Sequence, residues 1–320
     1  MRIIFFLLIS LQMYASQNLI DIYQKEGSAG ISKIFDDVLA TKDYWDNKLA
    51  DQNTSFGYFE SINHLLTCNK ETSSLKLYSK EFNNSFILEK NFSAFIGEKQ
   101  GDKQREGDLK TPIGVYRLLQ KLDNVDSFYG PLAFVTSYPN TLDKAKGKNG
   151  SGIWVHGLPL NQSRDDFTKG CIAIDNSDLK YIEAEIDFRK ALIYIDQDRY
   201  PEIKKDTLAL LLSDLYTWKQ AWKENDFQSY LNFYDSDFKH KNGLNFKRYK
   251  RYKQRIFNKN ESKQILFTNI NIIPYPMTEL KEAYLILFYE EYNSKSYTFK
   301  GKKELYVYLK DGHFSILSEQ

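Results

Sequence analysis

The sequence predicts a multidomain α+β protein: helices at the N-terminus, a β-rich middle and an α+β C-terminal part. Three observations carry that prediction. Up to about Thr67, apolar residues such as Leu19, Ile22, Ile31, Ile34, Phe35, Val38 and Leu39 recur at helical spacing. Around Leu75 the pattern changes to short apolar runs punctuated by Asn83-Asn84 and Gly97, which is the pattern of strands and turns. Beyond a polar linker at 196–205, Leu208, Leu211, Leu212, Leu215, Trp218 and Trp222 mark one face of a long helix, and strand-like runs follow it. A chain of 320 residues has length for two or three such units. The boundaries read as 1–16 for a signal segment, 17–70 for the N-terminal helices, 71–198 for the β-rich unit and 199–320 for the last.

The N-terminus opens with Met1-Arg2, an apolar run from Ile3 to Leu11, and Ala15 as a small residue for cleavage. That run is too short to cross a bilayer and has the form of a secretory signal, so export and no stable membrane insertion after cleavage are expected. Gly27 to Gly30 splits the helical region that follows, and Cys68 is read on an apolar helical face as a buried, inert thiol. The N-terminal region is too small for a secure core of its own, so it packs on the next unit or on a second copy of the chain.

In the middle unit, Thr111-Pro112 and Gly114 form a tight turn into a strand at Val115 to Leu119. Strands are expected at Phe134 to Tyr138, Ile153 to Val155, Ile172 to Ile174 and Ala191 to Ile195, with a mobile Lys- and Gly-rich loop at 143–152. Asn176-Ser177-Asp178 caps a helix reaching Ile186. In the last unit the helical region extends through Phe227 to Phe238. Strands follow at Ile265 to Ile273, Ala283 to Tyr292 and Leu305 to Leu309, and Asp311-Gly312 turns a hairpin into Phe314 to Leu317.

Composition excludes little: hydrophobic residues are 42%, charged residues 27%, and the net charge is +2. The basic run from Lys239 to Arg255, with Tyr249, Tyr252 and Ile256 as an inner stripe, reads as a solvated helix face, and export argues against nucleic acid as its partner. The four histidines, His64, His156, His240 and His313, lack the i, i+4 pairing of a helical zinc site, and no glycine-rich phosphate loop is present, so no metal or cofactor is expected. A disulfide joining Cys68 to Cys171, the ordinary reading of two cysteines in an exported chain, competes with a catalytic reading of Cys171. The catalytic reading is chemical. A thiol needs a neighbouring base to become a nucleophile, and His156 closes a short apolar strand. Gly170 lets main-chain N–H groups face a developing oxyanion just before the cysteine.

His156-Gly157 and Thr168-Lys169-Gly170-Cys171-Ile172 resemble the signature of the L,D-transpeptidase catalytic domain (YkuD type), and Gly107 to Tyr116 resembles that family's other recurrent segment. The C-terminal part resembles an NTF2-like domain. The layout is similar to that of the cell-shape-determining L,D-carboxypeptidases of helical and curved Epsilonproteobacteria such as Helicobacter and Campylobacter. The resemblance implies a periplasmic enzyme acting on peptidoglycan stem peptides. It implies Cys171 as nucleophile, His156 as base, the Gly157 carbonyl as its orienter, and the N–H groups of Gly170 and Cys171 as the oxyanion hole. Lys169, Arg164, Trp154 and Thr168 are the candidates for substrate binding, and the N-terminal helices for a homodimer contact. Ala173 stands where many transpeptidases carry Arg, and Thr168-Lys169 where many carry Ser-His, which leans towards hydrolysis: removal of D-alanine from tetrapeptide stems. The alternatives are 3-3 cross-linking by the same thioester, or a non-catalytic peptidoglycan-binding scaffold.

Overall fold

The computed structural model describes residues 2–320 except Arg164, Arg199, Thr278 and Lys281, with side chains from Gln17 onward. Helix α1 (Arg2–Leu39) is kinked at Gly27, where φ is 65°, and α2 (Lys42–Leu49) follows. Among the described residues no helix is long and apolar enough to cross a membrane.

The chain next lays down β1 (Tyr58–Phe59), β2 (His64–Asn69), β3 (Ser74–Lys80), β4 (Phe86–Phe95), β5 (Gly114–Leu122) and β6 (Ala133–Thr136). After α3 (Thr141–Ala145) come β7 (Trp154–His156), β8 (Ile172–Ile174), α4 (Asn176–Glu185) and β9 (Ala191–Asp196). Strands β2 to β9 close into a barrel in the order β2-β3-β4-β8-β7-β6-β5-β9. Residues 58–69, expected to be helical, are therefore strand: β2 pairs with β3 and with β9, and Cys68 is a buried barrel residue rather than part of a helix face. Its run Leu65-Leu66 misleads because both faces of β2 are buried. Leu66 points into the barrel core while Leu65 packs outward against the C-terminal sheet. Burial pushes the Cys68 thiol up to about 12, and no disulfide joins Cys68 to Cys171.

The C-terminal unit comprises α5 (Lys205–Lys223), α6 (Phe227–Asn232), β10 (Tyr234–His240), α7 (Phe246–Phe257), β11 (Lys263–Pro274), β12 (Ala283–Ser294), β13 (Thr298–Lys310) and β14 (His313–Glu319). The sheet order is β1-β11-β12-β13-β14-β10, so β1 belongs to this sheet and not to the barrel. Positive φ at Asp311 and Gly312 makes the expected tight hairpin turn between β13 and β14. The helical reading of Phe227 to Phe238 fails after Asn232, because Tyr234 onward is drawn into parallel pairing with β14. The inner stripe of α7 is Tyr249, Lys253 and Phe257, while Tyr252 is exposed. Leu65, Val115, Leu192 and Tyr194 of the barrel pack against Ile273, Tyr275, Leu285 and Tyr306 of the sheet in one shared cluster.

The 143–152 segment is tied down rather than loose. Asn140 and Asp143 form a capping box on α3, and the buried ammonium of Lys148 pairs with Asp143 at 2.8 Å and Asp102 at 2.6 Å. Asn149 bridges to Glu106 N at 2.9 Å.

Candidate active site

Strands β7 and β8 run parallel, with Val155 opposite Ile172 and His156 opposite Ala173. Val155, Ile172 and Ile174 point into the barrel core. Strand alternation sends Trp154, His156 and Ala173 to the other face, and Cys171, two residues before Ala173, joins them. The base and the nucleophile predicted from the sequence thus lie diagonally across neighbouring strands on one face. His156 is 1% exposed, whereas Cys171 is part-exposed.

His156 Nδ1 lies 2.7 Å from Gly157 O. A carbonyl only accepts, so Nδ1 carries the proton and Nε2 keeps the lone pair that a base requires. Gly157 is sterically obligatory: a Cβ there would stand 2.1 Å from Asn176 Oδ1 and 2.9 Å from Pro131 Cδ. Tyr129 was not foreseen. Its ring meets Trp154 and His156 edge-on, with centroids at 5.1 and 5.0 Å, and its carbonyl accepts from Gly157 N at 2.9 Å.

The thiol of Cys171 donates to Gly152 O at 3.3 Å. The buried Thr168 hydroxyl donates to Cys171 O at 2.7 Å and accepts from Gly170 N at 3.0 Å. The Gly170 N–H, expected to face an oxyanion, is therefore engaged by Thr168. Thr168 itself shapes the nucleophile turn from beneath.

Gly170, at φ 131°, lets Lys110 O approach to where a Cβ would be 2.7 Å away. The 107–116 segment is thus the floor of the nucleophile turn, which explains why two separated motifs occur together. That floor is fastened by Thr111 Oγ1 accepting from Gly97 N at 2.8 Å and by the Lys70 ammonium on Thr111 O at 2.6 Å. Burial pushes Lys70 down to about 8. Asp108 accepts from Lys103 Nζ at 2.7 Å and from the N–H groups of Gln104, Arg105 and Lys110.

Lys169 is exposed beside the nucleophile, Trp154 is half-buried against Tyr129, and Arg164 lies outside the described residues. Among the described residues no group of three His, Cys, Asp or Glu side chains is placed to hold a metal ion.

A closed barrel with a histidine ending one strand and a cysteine just before its parallel neighbour, packed against an α+β domain, defines the class. The L,D-transpeptidase catalytic domain (YkuD) model matches residues 65–193, and the Cds6 C-terminal NTF2-like domain model matches residues 210–320. The chain belongs to this family of L,D-transpeptidase-domain proteins carrying a C-terminal NTF2-like domain. It is similar to the helical cell shape determining protein Pgp2 of Campylobacter jejuni, with 41% identity and a TM-score of 0.81 over 88% of this chain and 99% of that one. Bd1075 of Bdellovibrio bacteriovorus shares 26% identity and a TM-score of 0.65 over 83% of this chain and 96% of that one. YafK of Escherichia coli K12, named for L,D-transpeptidase activity, is 31% identical over 113 residues, which span 35% of this chain and 43% of YafK.

Proposed function

We propose that this protein is a periplasmic cysteine L,D-carboxypeptidase that trims peptidoglycan tetrapeptide stems to tripeptides and so serves cell shape. The observation that carries the reading is the shared face of Cys171 and His156, with Nδ1 of His156 committed to Gly157 O and Nε2 left as the base. The likeness to Pgp2, named for determining helical cell shape, supports the physiological half.

In the reaction, His156 Nε2 takes the Sγ proton of Cys171. The thiolate then adds to the meso-diaminopimelyl carbonyl that precedes the terminal D-alanine. The Cys171 N–H faces the resulting oxyanion, and the Gly170 N–H joins it by sharing its bond to Thr168 Oγ1. As the tetrahedral adduct collapses, the C–N bond breaks and the imidazolium of His156 protonates the departing amine, leaving a thioester. Water, deprotonated by the same Nε2, attacks the thioester and releases the tripeptide carboxylate and the thiol. Ala173, fully buried beside His156, presents no cation to an acceptor stem, which favours water as the second nucleophile. Lys169 supplies the exposed cation for a substrate carboxylate. In this reading residues 1–16 serve export, the barrel cuts, and residues 199–320 act as the NTF2-like accessory domain.

Incubation of the purified protein with tetrapeptide muropeptides tests the reading. Tripeptide and free D-alanine are the expected products. New 3-3 cross-linked dimers without tripeptide would instead establish the transpeptidase, and sacculus binding without turnover would establish the scaffold.

A further inference from the structure

The environment of His156 contains a side chain whose position has a purpose beyond packing. Asn176 is the first residue of α4, five residues after Cys171, and Asp175 before it caps the helix by accepting from Ser177 N at 2.8 Å. Asn176 is therefore free of capping, and its carboxamide turns back to the loop that follows His156. Oδ1 accepts from Leu158 N at 2.9 Å and Nδ2 donates to Leu158 O at 3.0 Å.

The Leu158 N–H and the Gly157 carbonyl belong to one peptide unit. A planar trans peptide points these two groups in opposite directions, so fixing one fixes the other. Asn176 holds the N–H end, and the carbonyl end receives His156 Nδ1 at 2.7 Å. Hydrogen bonding at the N–H also polarises the carbonyl and makes it a better acceptor. The contact is tight by construction, because a Cβ on Gly157 or Gly130 would stand 2.1 or 2.5 Å from Asn176 Oδ1.

We propose that Asn176 is a positioning residue of the active site, holding the His156 imidazole in orientation and tautomer through the Gly157–Leu158 peptide. The proposal rests on the reading of His156 as the base. It gives the carboxamide the task that a directly bonded Asp or Asn performs in other cysteine–histidine sites, with a peptide group interposed.

The test is the pH profile of Cys171 alkylation by iodoacetamide in the full chain, followed by mass spectrometry of the modified peptide. The buried Cys68 thiol serves as an internal unreactive control. Asn176→Ala removes both hydrogen bonds and is expected to slow alkylation at neutral pH about tenfold, the scale of one lost hydrogen bond, with the profile displaced towards alkaline pH. Asn176→Asp keeps the acceptor for Leu158 N–H, and its expected loss is under about threefold, since only the neutral Nδ2 bond is lost. A wild-type profile in Asn176→Ala overturns the proposal, as does an Asn176→Asp loss equal to that of Asn176→Ala. Should Asn176→Ala not fold, ¹⁵N shifts of His156 in the wild type decide independently: Nδ1–H is expected, and Nε2–H overturns the proposal. Alkylation needs no stem peptide, so its outcome is separate from the muropeptide digest. A protein that alkylates as expected yet leaves tetrapeptides intact sinks the reaction assignment alone.

Discussion

The barrel edge that carries Cys171 and His156 and the interior of the C-terminal domain both hold ionisable groups in place, by different means. At the edge, one three-residue strand ends on His156 and another begins just after Cys171, and main-chain carbonyls, Gly157 O and Gly152 O, are among their partners. In the C-terminal core the partners are other side chains. The hydroxyls of Tyr230, Tyr234 and Tyr249 cluster together; Tyr234 and Tyr249 donate to Glu319, and the Tyr230 proton serves one of those two oxygens. The Lys253 ammonium lies 4.5 Å from the Trp222 ring and 5.2 Å from that of Tyr230. Burial alone would raise the Glu319 carboxyl, but Lys303, Lys253 and the Tyr249 hydroxyl outweigh it and hold it down. Main-chain anchoring orients a thiol and an imidazole without taking a second side chain's proton. A closed side-chain network commits every proton to structure.

This contrast sets the order of expected effects. Cys171→Ala should cut tripeptide release by a factor on the order of 10⁴ or more, with thermal midpoint unchanged, because it removes the covalent step and no buried packing. Glu319→Gln should do the reverse: a loss of roughly 3 kcal/mol in urea unfolding, as Lys253 loses its counter-charge, with Cys171 alkylation retained in the folded protein.

Lys253→Met gives a pH signature. Burial pushes Lys253 down to about 8 from 10.5, so below about 8 the native state carries a charge that folding disfavours. Between pH 8 and 10.5 the unfolded chain binds more protons and wild-type stability rises relative to the variant. Unfolding of both proteins across that window checks the sign; a gap that widens against the wild type as pH rises would contradict it.

The smallest effect is expected at the floor of the nucleophile turn. Burial favours the neutral form of Asp108, but its bonds to Lys103 and three main-chain N–H groups prevail and hold its carboxyl below the usual range. Its stabilisation is present above the ordinary carboxylate pKa and is lost as pH falls below it. Asp108→Asn should therefore lower stability by about 1 kcal/mol at pH 7, a difference that vanishes in acid.

The legibility of the two regions follows the same division. Cys171, His156 and Gly170 could be proposed from the sequence because a few consecutive residues supply both the chemistry and its backbone support. Asn176 was read as part of a helix cap, the ordinary task of an Asn before an apolar run. Asp175 holds that cap instead, and only the fold shows that the amide reaches Leu158. Tyr129 carried no signal, since its ring partners lie on β7, some 25 residues further along the chain. The Tyr230–Glu319 network spans 90 positions and was opaque for the same reason. Residues 58–69 misled because strands buried on both faces lose their alternation.

The pairing of β1 with β11 has a consequence for the order of events during synthesis. Tyr58 and Phe59 leave the ribosome early, yet their partners Ile272 and Asn271 follow more than 200 residues later. At cellular elongation rates this is a wait of roughly 10 to 40 s, and for about its last third the barrel sequence is complete while its neighbouring sheet does not yet exist. The two domains are therefore stitched rather than strung together. A scissile linker at 196–205 would release neither as a finished unit, since the C-terminal sheet would part from its own first strand.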